Sequence, residues 1–199
     1  MAEKFLELLV TPSVAKAQEH YFGRAQHFSG GARRDPLTDD EIQFIQARDS
    51  FYLATVSESG WPYVQHRGGP IGFLRVVNPN TLAFADYRGN RQLLSTGNIA
   101  ANDRVCLFLM DYPNRTRLKI LGHARVEDAR EHTELVKKFA TPDVQRIVER
   151  VFLIDVISFD WNCQQYITPR FTESEIEAVV APMKQRIAEL ESQLKQQKP

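Results

Sequence analysis

The sequence predicts a mainly β chain of the α+β kind, a small antiparallel barrel with peripheral helices and a C-terminal amphipathic helix. Three observations lead there. Short β-patterned runs follow one another between residues 51 and 85 with only turns between them. A run over residues 104–110 is apolar on both faces, as a strand with neighbours on either side should be. Helical patterns are too few to alternate with the strands, which argues against a parallel α/β sheet.

In order along the chain, Thr11 and Pro12 open an amphipathic stretch that runs to about Gln26, and Ser29 to Gly31 with Arg33 and Arg34 form a loop. Thr38 and Glu41 have capping-box spacing ahead of Ile42, Phe44 and Ile45, so a short helix starts there. Strands are expected over 51–56, 61–66, 71–77 and 81–85, with Pro62 at the start of the second and a turn at Asn78 to Asn80. A helix over 90–101 leads to the strand 104–110. Tyr112 to Asn114 then turn into 115–126, with Thr116, Leu118, Ile120, Ala124 and Val126 on one face. Helices near 131–140 and 142–150 precede a last strong strand, 151–159.

The tail differs. Ile176, Val180, Met183, Ile187, Leu190 and Leu194 alternate spacings of four and three, a coiled-coil seam, and either a partner chain or the barrel itself can cover it. The expected organisation is an N-terminal helix and loop over 1–34, a barrel domain over 35–171 and a C-terminal helix over 172–199.

Composition sets bounds on function. With 199 residues, 43% of them hydrophobic, one full core is affordable. Lysine plus arginine equals aspartate plus glutamate at 25 each, so there is no broad positive field and no nucleic-acid partner is expected. The N-terminal residues mix acids with apolar side chains, and no run reaches membrane-spanning length, which points to a cytoplasmic protein without a membrane partner. Two cysteines, Cys106 and Cys163, form no C-x-x-C pair, and the five histidines lack ligand spacing, so no metal site is expected.

Four segments can carry chemistry. Asp86, Tyr87, Arg88, Gly89, Asn90 and Arg91 lie between a strand and a helix, where free backbone N–H groups and the helix dipole favour an anion, and a phosphate suits it. The simpler reading is a polar loop capped by Asn90. His66, Arg67, Gly68, Gly69 and Phe73 belong to a glycine-rich run that permits close backbone approach to a ligand, or is a β-bulge with an exposed arginine. Arg115, Arg117 and Lys119 stripe one strand face, which is otherwise solvated surface. Trp161, Asn162, Gln165, Tyr166 and Arg170 gather aromatics, amides and a cation that either close the barrel end or meet a planar heterocycle.

As a set, the order of these segments over about residues 35–170 resembles the flavin-nucleotide-binding proteins of the pyridoxamine 5'-phosphate oxidase superfamily, in particular the branch of oxidase-related FMN-binding proteins. The resemblance implies a split β-barrel of the FMN-binding type, FMN as cofactor, and a homodimer with two sites in its interface. It implies that Arg67 and Arg91, helped by Asn90 and Arg88, hold the FMN phosphate, with Gln92 also among the cofactor-binding residues. Asp86 and Tyr87 would lie near the ribityl chain, and His66 to Phe73 along the ring edge. Thr116, Arg117, Trp161, Asn162, Gln165 and Arg170 would come from the other subunit, with Arg117 or Arg170 countering negative charge on the flavin. Catalytic residues beyond the flavin are unknown. True oxidases carry Ser-Arg-Lys where this chain reads Asn90, Arg91, Gln92, so the implied activity is an FMN-dependent oxidoreductase acting on an unidentified small molecule. The alternatives are a true pyridoxamine or pyridoxine phosphate oxidase and a non-catalytic flavin-binding or sensing module.

Overall fold

The computed structural model describes residues 3–28, 30, 34–161 and 165–196. Seven antiparallel strands form one sheet: β1 (Ser50–Val56), β2 (Pro62–Gly68), β3 (Arg75–Asn78), β4 (Thr81–Tyr87), β5 (Arg104–Asp111), β6 (Thr116–Asp128) and β7 (Val148–Trp161). Their order is β2-β1-β5-β6-β7-β4-β3, so the sheet curls without closing, and β2 and β3 are its free edges. The helices are α1 (Glu3–Leu9), α2 (Pro12–Phe22), α3 (Asp39–Gln46), α4 (Leu94–Ala101), α5 (Thr133–Phe139) and α6 (Glu173–Gln196). Among the described residues no helix is long and apolar enough to cross a membrane.

Alternation along the strands builds the core. Phe51 and Leu53 of β1, Leu107 and Leu109 of β5, Leu118 and Ile120 of β6, Phe84 of β4 and Phe152 of β7 point inward and are buried together. Removing such side chains from water supplies the main driving force, at about 25 cal/mol per Å². A second cluster lies on the opposite face, where Ala83 and Ala85 of β4 and Val151 and Leu153 of β7 pack against Val136 and Phe139 of α5. Among the described residues, α1 reaches only the β6 side of the outer face of β2, β1, β5 and β6, through Phe5, and the rest of that face is left open. Tyr52 and Val64 are exposed there beside Ala54, Cys106, Phe108 and Met110, around a concavity of about 440 Å³.

Side chains, not a ladder, bridge the gap between the sheet edges. Asp86 of β4 accepts from Arg67 of β2 through Oδ1 and from Arg150 of β7 through Oδ2, with Arg150 Nε at 2.8 Å and Nη2 at 2.7 Å. Helix α4 plugs the opening: Ser95 donates to Gln65 at 3.0 Å, Asn98 donates to Thr55 at 2.9 Å, and Ile99 joins the core. Gly122 sits at the bulge of β6, where a Cβ would come 2.7 Å from the Asp155 carbonyl oxygen.

The capping box of α3 forms as its spacing predicts, and it does more. Glu41 accepts from the Thr38 backbone N–H at 2.9 Å and also from the Trp161 indole, whose ring meets Phe44 edge-on at 4.8 Å. Burial raises the Glu41 pKa, but the donors at Thr38 and Trp161 outweigh it and hold the carboxyl below its ordinary value.

Several boundaries depart from expectation. The strand expected over 71–77 shrinks to Arg75–Asn78, because Pro70 lacks a donor and Gly72, at φ 76°, turns back to the Arg48 carbonyl. The helix expected from residue 90 begins at Leu94, because the Asn90 side chain accepts from the Gln92 N–H at 3.2 Å and Arg91 and Leu93 are left-handed. The helix expected over 142–150 is a single 3-10 turn, Gln145–Ile147. β7 already starts at Val148, because Arg150 pairs with both Asp86 and Asp128 and the sheet overrides local helical preference. An unexpected α1 packs by β7 through Phe5, under the Lys119 ammonium at 4.7 Å. Along α6 every side chain with a described environment is exposed, except half-buried Val180.

Two outcomes follow. Asp86→Asn leaves two buried guanidinium groups undercompensated and should destabilise the chain by about 3 kcal/mol in urea unfolding, whereas Arg88→Ala should change stability by less than about 0.5 kcal/mol. The depressed Glu41 carboxyl contributes stability that is fully present above the ordinary glutamate pKa and is lost as pH falls through its lowered value. Acid titration followed by Trp161 fluorescence should show that loss, and Glu41→Gln should remove this acid limb.

Candidate functional site

Arg67 is the third inner-facing position of β2, after Tyr63 and Gln65, and is paired with Phe51, so its side chain enters the barrel mouth instead of solvent. Its guanidinium lies 5.2 Å from the Phe152 ring centre and 5.8 Å from Phe84. Burial pushes its pKa down, the Asp86 carboxylate pushes it back up, and Arg150 adds to the lowering. Such a group stays charged. Its Nε is buried and has no hydrogen-bond partner, and a buried donor left so costs about 1–3 kcal/mol.

The Asp86–Arg150 pairing brings the end of β4 beside the start of β7, and residues 88–93 loop over that junction. Glu149 there meets Arg88 and Arg91, each at 3.4 Å, and Arg150 at 3.3 Å. Arg88 and Arg91 remain more than half exposed, so these long contacts do little to hold them. Arg91 at φ 60° and Leu93 at φ 56° are non-glycine residues in the left-handed region, a conformation that costs of order 1 kcal/mol each and clusters at ligand sites. Leu93 is the N-cap of α4 and has no capping side-chain bond, so the first-turn N–H groups of that helix lack the usual acceptor.

These features share one cleft of about 180 Å³, lined by Gln65, Arg67, Asp86, Tyr87, Asn90, Arg91, Ser95, Thr96 and Arg150 among others. Three guanidinium groups, of Arg67, Arg91 and Arg150, line it with one carboxylate, that of Asp86, an excess of positive charge at an uncapped helix start. Burial raises the Tyr87 hydroxyl above its ordinary pKa, with Asp143 adding to the rise, so it remains a neutral donor.

The expected residues fall into two groups. Arg67, Asp86, Tyr87, Asn90 and Arg91 come together at the cleft with Arg88 and Gln92 on its loop. Arg117 and Arg170 lie instead toward the uncovered outer face: Arg117 pairs with Met110 and reaches over Phe108 at 5.9 Å, and Arg170 lies over Tyr112 at 5.1 Å. Arg117 Nε is also buried without a partner. Thr116 lies beside it, its hydroxyl donating to the Asn114 carbonyl at 3.1 Å. His66 is exposed on the same outer face, edge-on to Tyr52 at 5.6 Å. Gly68 and Gly69 lead into the turn, where a Cβ on Gly69 would strike the Phe73 ring at 2.7 Å. Phe73 itself is buried and stacks on Phe51 in the core, and Trp161 is turned toward Glu41. Gln165 is exposed, and Asn162 lies outside the described residues. Sequence reasoning missed Arg150, Glu149, Gln65, Ser95 and Thr96. Only the Asp86–Arg150 register reveals the first two, whereas Ser95 and Thr96 were detectable as small hydroxyl residues at a helix start.

Comparison with known proteins fits this geometry. The family model described as pyridoxamine 5'-phosphate oxidase matches residues 37–160, which includes every residue that lines the cleft. No curated protein matches the chain. Solved structures with a partial likeness include a candidate pyridoxamine 5'-phosphate oxidase of Lactobacillus delbrueckii, at 23% identity over 63% of this chain and 93% of that one, with a TM-score of 0.49. General stress protein 26 of Bacillus anthracis is 18% identical over 67% of this chain and 95% of its own, with a TM-score of 0.47. HutZ, a heme storage protein of Vibrio cholerae, is 15% identical over 64% and 94%, with a TM-score of 0.43. On the family match, which spans more than half of its length, the chain belongs to the pyridoxamine 5'-phosphate oxidase family.

Proposed function

We propose that this protein is an FMN-dependent oxidoreductase acting on a small molecule, with the FMN phosphate held in the cleft between Arg67, Arg91 and the start of α4. The observation that carries this reading is the buried Arg67 Nε, a donor without an acceptor in a cleft that already has excess positive charge. A phosphate monoester offers the missing acceptor and about two negative charges. Backbone N–H groups at residues 94–96 and the Asn90 amide add neutral donors suited to the same oxygens.

The cleft is smaller than the roughly 300–1,000 Å³ of a complete small-molecule site, so it suits the phosphate and part of the ribityl chain but not the ring as well. A second copy would complete the site. The uncovered apolar face of β1, β2, β5 and β6, with Tyr52, Phe108 and Met110, provides the surface for it. The partner's contribution in this reading is the Arg117 and Arg170 group, where another unpartnered guanidinium N–H lies beside an apolar surface. When bound, FMN supplies the redox chemistry. The chain's residues fix its phosphate, orient the ring, exclude water and place cationic charge near it. We propose on this basis that the protein works as a homodimer.

Titration calorimetry tests the reading. FMN should bind at least tenfold more tightly than riboflavin, because loss of the phosphate removes charge-assisted bonds of about 1.5–3 kcal/mol each. Arg91→Ala should weaken FMN roughly tenfold and leave riboflavin affinity unchanged, and equal affinities for the two flavins would reject a phosphate cradle. NAD(P)H reduction of the flavin-loaded protein separates an oxidoreductase, which turns over, from a sensing module, which does not. Hydrogen peroxide release with pyridoxamine 5'-phosphate would identify the narrower oxidase activity.

A further inference from the structure

Helix α6 extends for 24 residues, and among the described residues its apolar side chains are largely exposed. Ile176, Val179, Met183, Ile187 and Leu190 are all between 42% and 61% exposed, and Val180 is half-buried. They share one stripe. Assigning Ile176 to heptad position d places Val180 and Ile187 at a, and Met183 and Leu190 at d, with Val179 flanking the seam at g. Pro182 falls at c, on the side away from the stripe, so its ring does not interrupt the contact surface.

The charges beside the stripe decide what can cover it. In a parallel pair, each g residue faces the e residue of the next heptad on its partner, which sets Arg186 opposite Glu191 twice by symmetry. Antiparallel overlap instead sets Glu177 against Glu191, Lys184 against Lys184 and Arg186 against Arg186. All of those contacts are repulsive. The ion pairs that α6 makes within itself, Lys184 with Glu177 at 3.1 Å and Arg186 with Glu189 at 3.0 Å, are exposed and do not compete strongly. Thr172 fixes where the helix starts, with its backbone N–H donating to Glu175 at 2.7 Å, and just before it Arg170 anchors the chain over Tyr112, at the end of the uncovered sheet face.

We infer that α6 pairs in parallel and in register with α6 of a second copy of this chain, as a short two-stranded coiled coil. The inference shares the second copy with the proposed function and depends on no property of the flavin. Pairing next to the sheet face raises the effective concentration of one tail for the other, so a short seam is enough.

Cross-linking of the full chain tests it. Leu190→Cys, in a chain also carrying Cys106→Ser and Cys163→Ser, should form a disulfide-linked dimer under mild oxidation. Gln185→Cys, at the outer position f, should form at least tenfold less. Met183→Cys on the same seam repeats the test should Leu190→Cys fail to fold. Arg186→Glu should lower cross-linking several-fold, and adding Glu191→Arg should restore it. Equal cross-linking at positions 185 and 190, no cross-linking on the seam, or cross-linking only between chains carrying Val180→Cys and Leu190→Cys, the antiparallel layer, would overturn the inference. Flavin content measured on the same samples keeps the two readings apart: cross-linked protein without flavin counts against the cofactor and not against the paired tails.

Discussion

A sheet that curls but does not close needs something other than a backbone ladder across its gap, and here the Asp86 carboxylate supplies it. One oxygen accepts from Arg67 on the edge strand β2, and the other from Arg150 on β7. Buried ion pairs of this sort are costly to assemble because two or three charges lose water together. This one is bonded through both carboxylate oxygens and lies at the mouth of the barrel, where Phe84 and Phe152 provide π faces to the Arg67 guanidinium. The same contacts define the cleft, since they fix Arg67 and Arg150 as two of its walls.

The geometry divides the work between two surfaces. On the inner side, cations and an uncapped helix start form a compact polar cleft that suits a phosphate. On the outer side, β1, β2, β5 and β6 present an apolar face with cations at its end, while the corresponding outer face of β4 and β7 is already covered by α5. In the proposed reading, a second copy on the uncovered face would bring the second cationic group to the flavin. Membership of the pyridoxamine 5'-phosphate oxidase family fits both surfaces without naming a substrate.

The strands were largely legible because their alternation was strong: β1, β2, β4, β5 and β6 lie close to the expected residues. Errors clustered where tertiary pairing overrode local preference. Residues 148–150 look helical in isolation, yet the sheet recruits them into β7, and Arg150 becomes part of the cleft only through that pairing. Arg67, Asp86, Asn90 and Arg91 could be picked out as a cluster from their types and positions. The Arg67–Asp86 contact could not, because it joins strands at a distance along the chain. Phe73 and Trp161 show the complementary limit: sequence marks a large aromatic near a glycine run or an amide, but whether it packs in the core or bonds to a helix cap depends on the fold.

The most direct measurement is a crystal structure of the protein grown with FMN. The account predicts the phosphate within hydrogen-bonding distance of Arg67 Nε and the first-turn N–H groups of α4, with Asp86 still joining Arg67 to Arg150. A phosphate bound elsewhere, or one that displaces Asp86 from Arg67, would contradict it.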